Sequence, residues 1–153
     1  MKDLKRKFSA LALTALFASM QISYAAIDTG LGAGNGGAVI NNTTGGFVNG
    51  VAGNGSYDLN FNGNSHVNWD SLNVNKNESL NFNAVGGAKD LTILNTVNKG
   101  MSNIYGQISA NEGIGKLIIS NPNGVLFDGA KFTTAGDAMI TTQPMTATFI
   151  DGT

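Results

Sequence analysis

The sequence predicts an all-β fold, and three observations predict it. Apolar residues occur in short pieces rich in β-branched and aromatic side chains, with no helical period sustained over ten residues after Ala26. Several pieces alternate with Asn, as in Leu59-Asn60-Phe61, Val67-Asn68-Trp69, Leu72-Asn73-Val74 and Leu80-Asn81-Phe82. A period of two with one apolar face describes a half-buried strand. Clusters of Gly and Asn separate the pieces, and both residues tolerate the positive φ of tight corners.

The chain opens with a different kind of segment. Residues 1–25 carry Lys2, Lys5, Arg6 and Lys7 against Asp3, and Phe8 to Met20 is apolar with small polar interruptions. Ser23, Tyr24 and Ala25 place small residues at the −3 and −1 positions of a cleavage site, with Ala26 next. This is the layout of a secretory signal peptide, helical and cut between Ala25 and Ala26. Its apolar core is shorter than the roughly 20 residues of a membrane anchor. Residues 26–37 are Gly-rich and read as a flexible segment. Their G-x-G-x-x-G pattern, Gly32 to Gly37, lacks the strand before it and the helix after it that a dinucleotide site requires.

From residue 38 onward, strands are expected at Ala38–Ile40, Tyr57–Phe61, Val67–Trp69, Leu72–Val74, Leu80–Phe82, Leu91–Val97, Ile104–Ile108, Leu117–Ile119, Val125–Phe127, Ala138–Thr142 and Ala147–Ile150. Corners are expected at Asn42–Gly46, Asn62–Asn64, Gly86–Gly87 and Asn121–Gly124. A weak repeat favours a parallel β-helix over a β-sandwich. A shift of 21 residues lays Leu117–Ser120 on Ala138–Thr141, one of 25 carries Ile118 to Ile93, and a further 21 reaches Leu72. Stacked coils of this kind bury one continuous core. The 20 Asn residues suit the same architecture, because Asn accepts corner geometry and stacks in ladders.

Composition removes several classes of function. Lys and Arg number 9 against 10 acids, and charged residues make up 12 % of the chain, about half the usual share. No clustered basic face is available to neutralise phosphates, so no nucleic-acid partner is expected. With no Cys and one His there is no thiolate or multi-His metal site, and no cofactor is expected. His66 sits beside Val67 and Trp69 and reads as an edge residue. The acids are scattered, with no local pair suggesting a glycosidase. Trp69 reads as core.

Asn121-Pro122-Asn123-Gly124 suits a type I turn, with Pro presetting φ at the second position and Gly freeing the exit. Its context is more specific. Val67–Val74 is similar to a W-x-S-F-N-V segment, and Asn77–Phe82 resembles the strand after it. Leu94–Val97 resembles L-N-R-V, Ser102–Gly106 matches S-x-I-x-G, and Asn121–Val125 matches N-P-N-G-[IV]. In this order the segments resemble the N-terminal secretion domain of two-partner-secretion exoproteins, also called the haemagglutination activity domain of filamentous haemagglutinin. Leu72 stands where that family usually has Phe, and Thr96 where Arg is common.

The resemblance implies a right-handed parallel β-helix with an N-terminal β-cap over residues 38–153. It implies a secretion-targeting domain of a large exported adhesin-like protein, not an enzyme. Its partner would be an outer-membrane TpsB-type β-barrel transporter, met in the periplasm, with recognition by strand addition as one mode. The chain would reach the cell surface or the medium of a Gram-negative-type envelope, and would touch a host cell surface only through downstream regions. Folding of the helix during export would proceed coil by coil. Residues 1–153 would then be a fragment or a truncated reading frame. Asn121, Pro122, Asn123, Gly124 and Val125, with Asn73, Asn95 and Ser102, are the residues expected to contact the transporter or to shape a corner. Two other readings stand beside this one. A stand-alone surface adhesin would bind cells by itself, and a carbohydrate-active β-helix enzyme would lose polysaccharide cleavage when a pair of acids is removed.

Overall fold

Alternating strands with one apolar face must close on each other, and this chain closes by coiling. The computed structural model describes residues 25–146. The expected signal peptide (apart from Ala25) and the expected strand Ala147–Ile150 lie outside these residues. The strands are β1 (Ile27–Asp28), β2 (Val39–Ala52), β3 (Ser56–Ser71), β4 (Ser79–Ala84), β5 (Leu91–Val97), β6 (Ser102–Ile104), β7 (Gln107–Ala110), β8 (Ile114–Ser120), β9 (Val125–Phe127), β10 (Lys131–Thr134) and β11 (Asp137–Thr141). The described residues contain no helix. The architecture is a β-solenoid of about four turns.

Three parallel stacks form its faces. The first runs from the N-terminal half of β3 through β4 and β7 to β10. The second runs from the C-terminal half of β3 through β5 and β8 to β11. The third joins Val74 to β6 and β9. β3 therefore belongs to two faces and bends between Phe61 and Ser65. Asn62–Asn64, expected as a corner, is that bend within a continuous strand.

Inward residues stack in columns. Tyr57, Leu80, Ile108 and Phe132 form one column and Leu59, Phe82 and Ala110 the next. The rings of Phe61 and Phe82 stack with centroids 6.2 Å apart, and Phe47 meets Phe61 edge-on at 5.8 Å. Such aromatic pairs contribute about 0.5–1.5 kcal/mol beyond their area. Outward, the expected polar ladders are present. Asn81 Nδ2 donates to Asp58 at 2.7 Å, Ser109 Oγ donates to Asn81 at 2.6 Å, and Asn60 Nδ2 donates to Asn49 at 2.7 Å.

The 21-residue offset is the register of β8 with β11, where Leu117 faces Ala138. The next step is 24 residues, not 25, because Leu94 faces Ile118. The step before it is 28, not 21, because Ile93 faces Ser65. Leu72 therefore stands outside that column, and the Val85–Asp90 loop accounts for the longer coil. The expected strand Ile104–Ile108 is two strands, β6 and β7, divided by a corner at Tyr105–Gly106.

An antiparallel cap closes the first coil. β2 lies along the whole of β3, with register shifts at four places. The expected corner Asn42–Gly46 is part of this strand. Two glycines make the close approach possible: a Cβ on Gly46 would collide with the backbone of Gly63.

Residues 26–37, expected to be flexible, are folded onto the body. β1 pairs with Val39 and Ile40, Leu31 is buried, and Thr29 Oγ1 donates to the Ala38 carbonyl at 2.8 Å. Asn75 Nδ2 reaches the Ala33 carbonyl at 2.9 Å, and Glu78 Oε2 accepts from the Gly32 N–H at 2.8 Å. Glycine serves contact here, since a Cβ on Gly32 would lie 2.6 Å from the Asn73 carbonyl oxygen.

Candidate functional site

Of the residues singled out in the sequence, Asn73, Ser102 and Asn121 to Val125 lie where the second face turns into the third, though not at one surface, and Asn95 lies within β5. Asn121 is fully buried at that corner of the third coil. Its Nδ2 donates to Ser102 Oγ at 2.9 Å and to the Gly100 carbonyl at 3.0 Å, both in the coil before. Its backbone N–H donates to the Thr141 carbonyl at 3.0 Å, in the coil after. One side chain and its amide thus brace three coils.

The turn closes locally as its sequence dictates. The Gly124 N–H donates to the Asn121 carbonyl at 3.0 Å, and the Asn123 N–H to Asn121 Oδ1 at 2.9 Å. Gly124 has φ of +106°, which a side chain would strain. Pro122 and Asn123 are exposed, and Gly124 and Val125 half-buried. Asn123 Nδ2 lies 3.5 Å from the Asn98 carbonyl.

Ser102 is buried beneath Asn121. Asn73 braces the equivalent corner of the first coil. Its Nδ2 donates to the Gly37 carbonyl at 2.8 Å, and its Oδ1 accepts from the N–H of Asn103 at 2.9 Å. Asn95 points into the core, where no solvent reaches it. Its Oδ1 accepts from the Trp69 indole N–H at 2.9 Å and its Nδ2 donates to the Ile118 carbonyl at 3.1 Å. Trp69 is core, as expected. Among the described residues every buried side-chain polar atom has a partner. A buried amide left unpaired costs about 1–3 kcal/mol, so these residues fit as matched sets.

His66 lies half-buried on the outer side of the second face, with Nε2 2.6 Å from Thr96 Oγ1. Burial lowers its pKa below the ordinary 6.5. Ala25 and Ala26 are exposed, directly ahead of β1.

The chain therefore carries the motifs of a secretion domain on a capped parallel β-solenoid. A family model described as TPS secretion domain matches residues 25–153. The chain belongs to that family. No curated protein matches the sequence. As a TPS domain it is a secretion-targeting domain of a two-partner-secretion exoprotein. The family implies export to the cell surface or the medium of Gram-negative bacteria, with a TpsB transporter as the general partner. The match begins at residue 25, so it takes in the Gly-rich segment that the structure folds into the cap. Sequence reasoning missed that segment and the length of β2. The signals available were the absence of charge and Pro between Asn41 and Ala52, and the density of Gly between Gly30 and Gly37.

Proposed function

We propose that this TPS domain is recognised in the periplasm by the periplasmic modules of its cognate outer-membrane barrel, and that its first coils start β-solenoid folding as the chain emerges. The leader is removed between Ala25 and Ala26, and the capped end then templates the coils that follow. The observation that carries this reading is the Asn121 corner. It ties three successive coils through one residue, so each coil is completed by the next. Parallel coils stabilise one another only as neighbours, which makes folding sequential. A chain with no Cys and few charges suits passage in extended form.

At this corner the roles divide. Asn121 and Ser102 shape it, and Pro122 and Asn123 form the surface offered to the transporter. Asn73 and Asn95 act through packing. The test is a pair of variants studied in parallel. Asn123→Ala is expected to keep the β-type circular dichroism and weaken binding to the transporter's periplasmic modules. Asn121→Ala is expected to lower the unfolding midpoint. Unchanged binding by Asn123→Ala would remove the corner from the recognition surface.

A further inference from the structure

The chain holds five Asn-Gly pairs: Asn35-Gly36, Asn49-Gly50, Asn54-Gly55, Asn62-Gly63 and Asn123-Gly124. Such a pair is the least hindered place for a main-chain nitrogen to attack a side-chain amide, because Gly brings no Cβ. Closing that ring needs a side chain free to swing and a Gly N–H free to turn. The fold withholds one or both at four of the pairs. Asn35 Nδ2 donates to Asn75 Oδ1 at 2.7 Å, and Asn49 Oδ1 accepts from Asn60 within the β2–β3 ladder. Gly63, beside Asn62, is packed inside β3 against the backbone of Gly46. The Gly124 N–H, beside Asn123, is given to the Asn121 carbonyl at 3.0 Å.

Asn54-Gly55 differs from all of them. The pair lies in the turn between β2 and β3, and both residues are exposed. Among the described residues the Asn54 side chain has no hydrogen-bond partner and the Gly55 N–H has no acceptor. The turn around them is nevertheless fixed. Gly55 has φ of +70°, its carbonyl accepts from the Ser79 N–H at 2.9 Å, and the Gly53 N–H donates to the Ser56 carbonyl at 2.8 Å. The reacting groups are free on a frame that is held.

We propose that Asn54 is a site of spontaneous deamidation in the folded chain. The Gly55 nitrogen gives its proton to solvent and bonds to Asn54 Cγ. The Cγ–Nδ2 bond breaks, and Nδ2 takes up a proton and leaves as ammonia. The product is a cyclic imide, which water then opens. Cleavage between the Gly55 nitrogen and Cγ leaves an aspartate at this position. Cleavage between that nitrogen and the main-chain carbonyl carbon leaves an isoaspartate, whose main chain runs through the side chain and is one carbon longer. Either product carries a new negative charge. The longer one extends the hairpin that closes the first coil, beside the carbonyl that holds Ser79. None of this depends on how the domain meets its transporter.

The experiment keeps the folded full chain at neutral pH and maps its peptides by mass over time, with labelling by an isoaspartyl methyltransferase as the probe for the longer product. Asn54 is expected to convert at least about tenfold faster than any of the other four, because those must first open bonds or packing that the fold has made. In the urea-unfolded chain the five rates are expected to converge. Asn54→Gln, whose longer side chain closes the ring far less readily, is expected to remove the labelling at unchanged circular dichroism. A folded chain in which Asn54 is no faster than the other pairs overturns the assignment. Labelling undiminished in Asn54→Gln overturns it as well. An equal lead for Asn54 in the unfolded chain would show that local sequence and not the turn selects it, and would overturn it too.

Discussion

One column of the second face passes through every coil, and its two ends behave differently. Val67, Asn95, Ile119 and Ile140 stand in register, all pointing inward. The first three are buried, whereas Ile140 is 40 % exposed. The same change occurs on the third face, from buried Ile104 to Phe127 at 39 %. At the N-terminal end β1, β2 and the Gly-rich segment cover the first coil. Inward orientation alone does not bury a residue in a solenoid: a coil is buried by the neighbours above and below it. Among the described residues, the first coil is covered by the cap, whereas the last coil leaves its inward residues partly in solvent.

Substitutions of equal kind should separate the two ends. Phe82→Ala, in the covered part, should cost about 3–5 kcal/mol in denaturant unfolding. A loss that size takes much of the 5–15 kcal/mol that typically holds a domain folded. Asn95→Ala should cost about 1–3 kcal/mol, because it strands the indole N–H of Trp69 and the Ile118 carbonyl. Ile140→Ala should cost about 1 kcal/mol or less, since much of that side chain is already in water. Equal costs for Phe82→Ala and Ile140→Ala would show that the last coil is as well packed as the second.

The smallest effect is electrostatic. Burial makes His66 harder to protonate in the folded chain. The unfolded chain then takes up the proton first as pH falls. The contribution of His66 is present in full above pH 6.5 and declines as pH falls through that value towards its lowered pKa. His66→Gln should flatten the stability profile in this window. A wild-type profile already flat there would remove burial as the cause.

How much of this was readable from the residues follows from what each signal measures. Leu59-Asn60-Phe61 and Leu80-Asn81-Phe82 alternate cleanly, so their strands and inward faces were legible. The 21-residue register of β8 with β11 was legible because only short turns separate β8, β9, β10 and β11. The 28-residue coil was not, because the Val85–Asp90 loop changes its length without leaving an apolar mark. β2 was hidden for a different reason. Asn42-Thr43-Thr44-Gly45-Gly46 has the composition of a corner, and it becomes a strand only because β3 offers Asn42 to Gly45 a ladder and Gly63 offers Gly46 room. The Gly-rich segment deceived in the same way, since glycine marks close contact as well as freedom. The Asn121 turn was legible as a turn. Its bracing of three coils was not, because hydrogen bonds to Ser102, Gly100 and Thr141 depend on coil lengths that motifs do not encode.

The central claim is that this domain directs its own export through a dedicated barrel. The most direct measurement places the gene in Gram-negative cells with and without its cognate transporter, and follows the leader-processed chain in periplasm and medium. Release to the medium that depends on the transporter is the predicted result. Equal release in its absence would contradict the account.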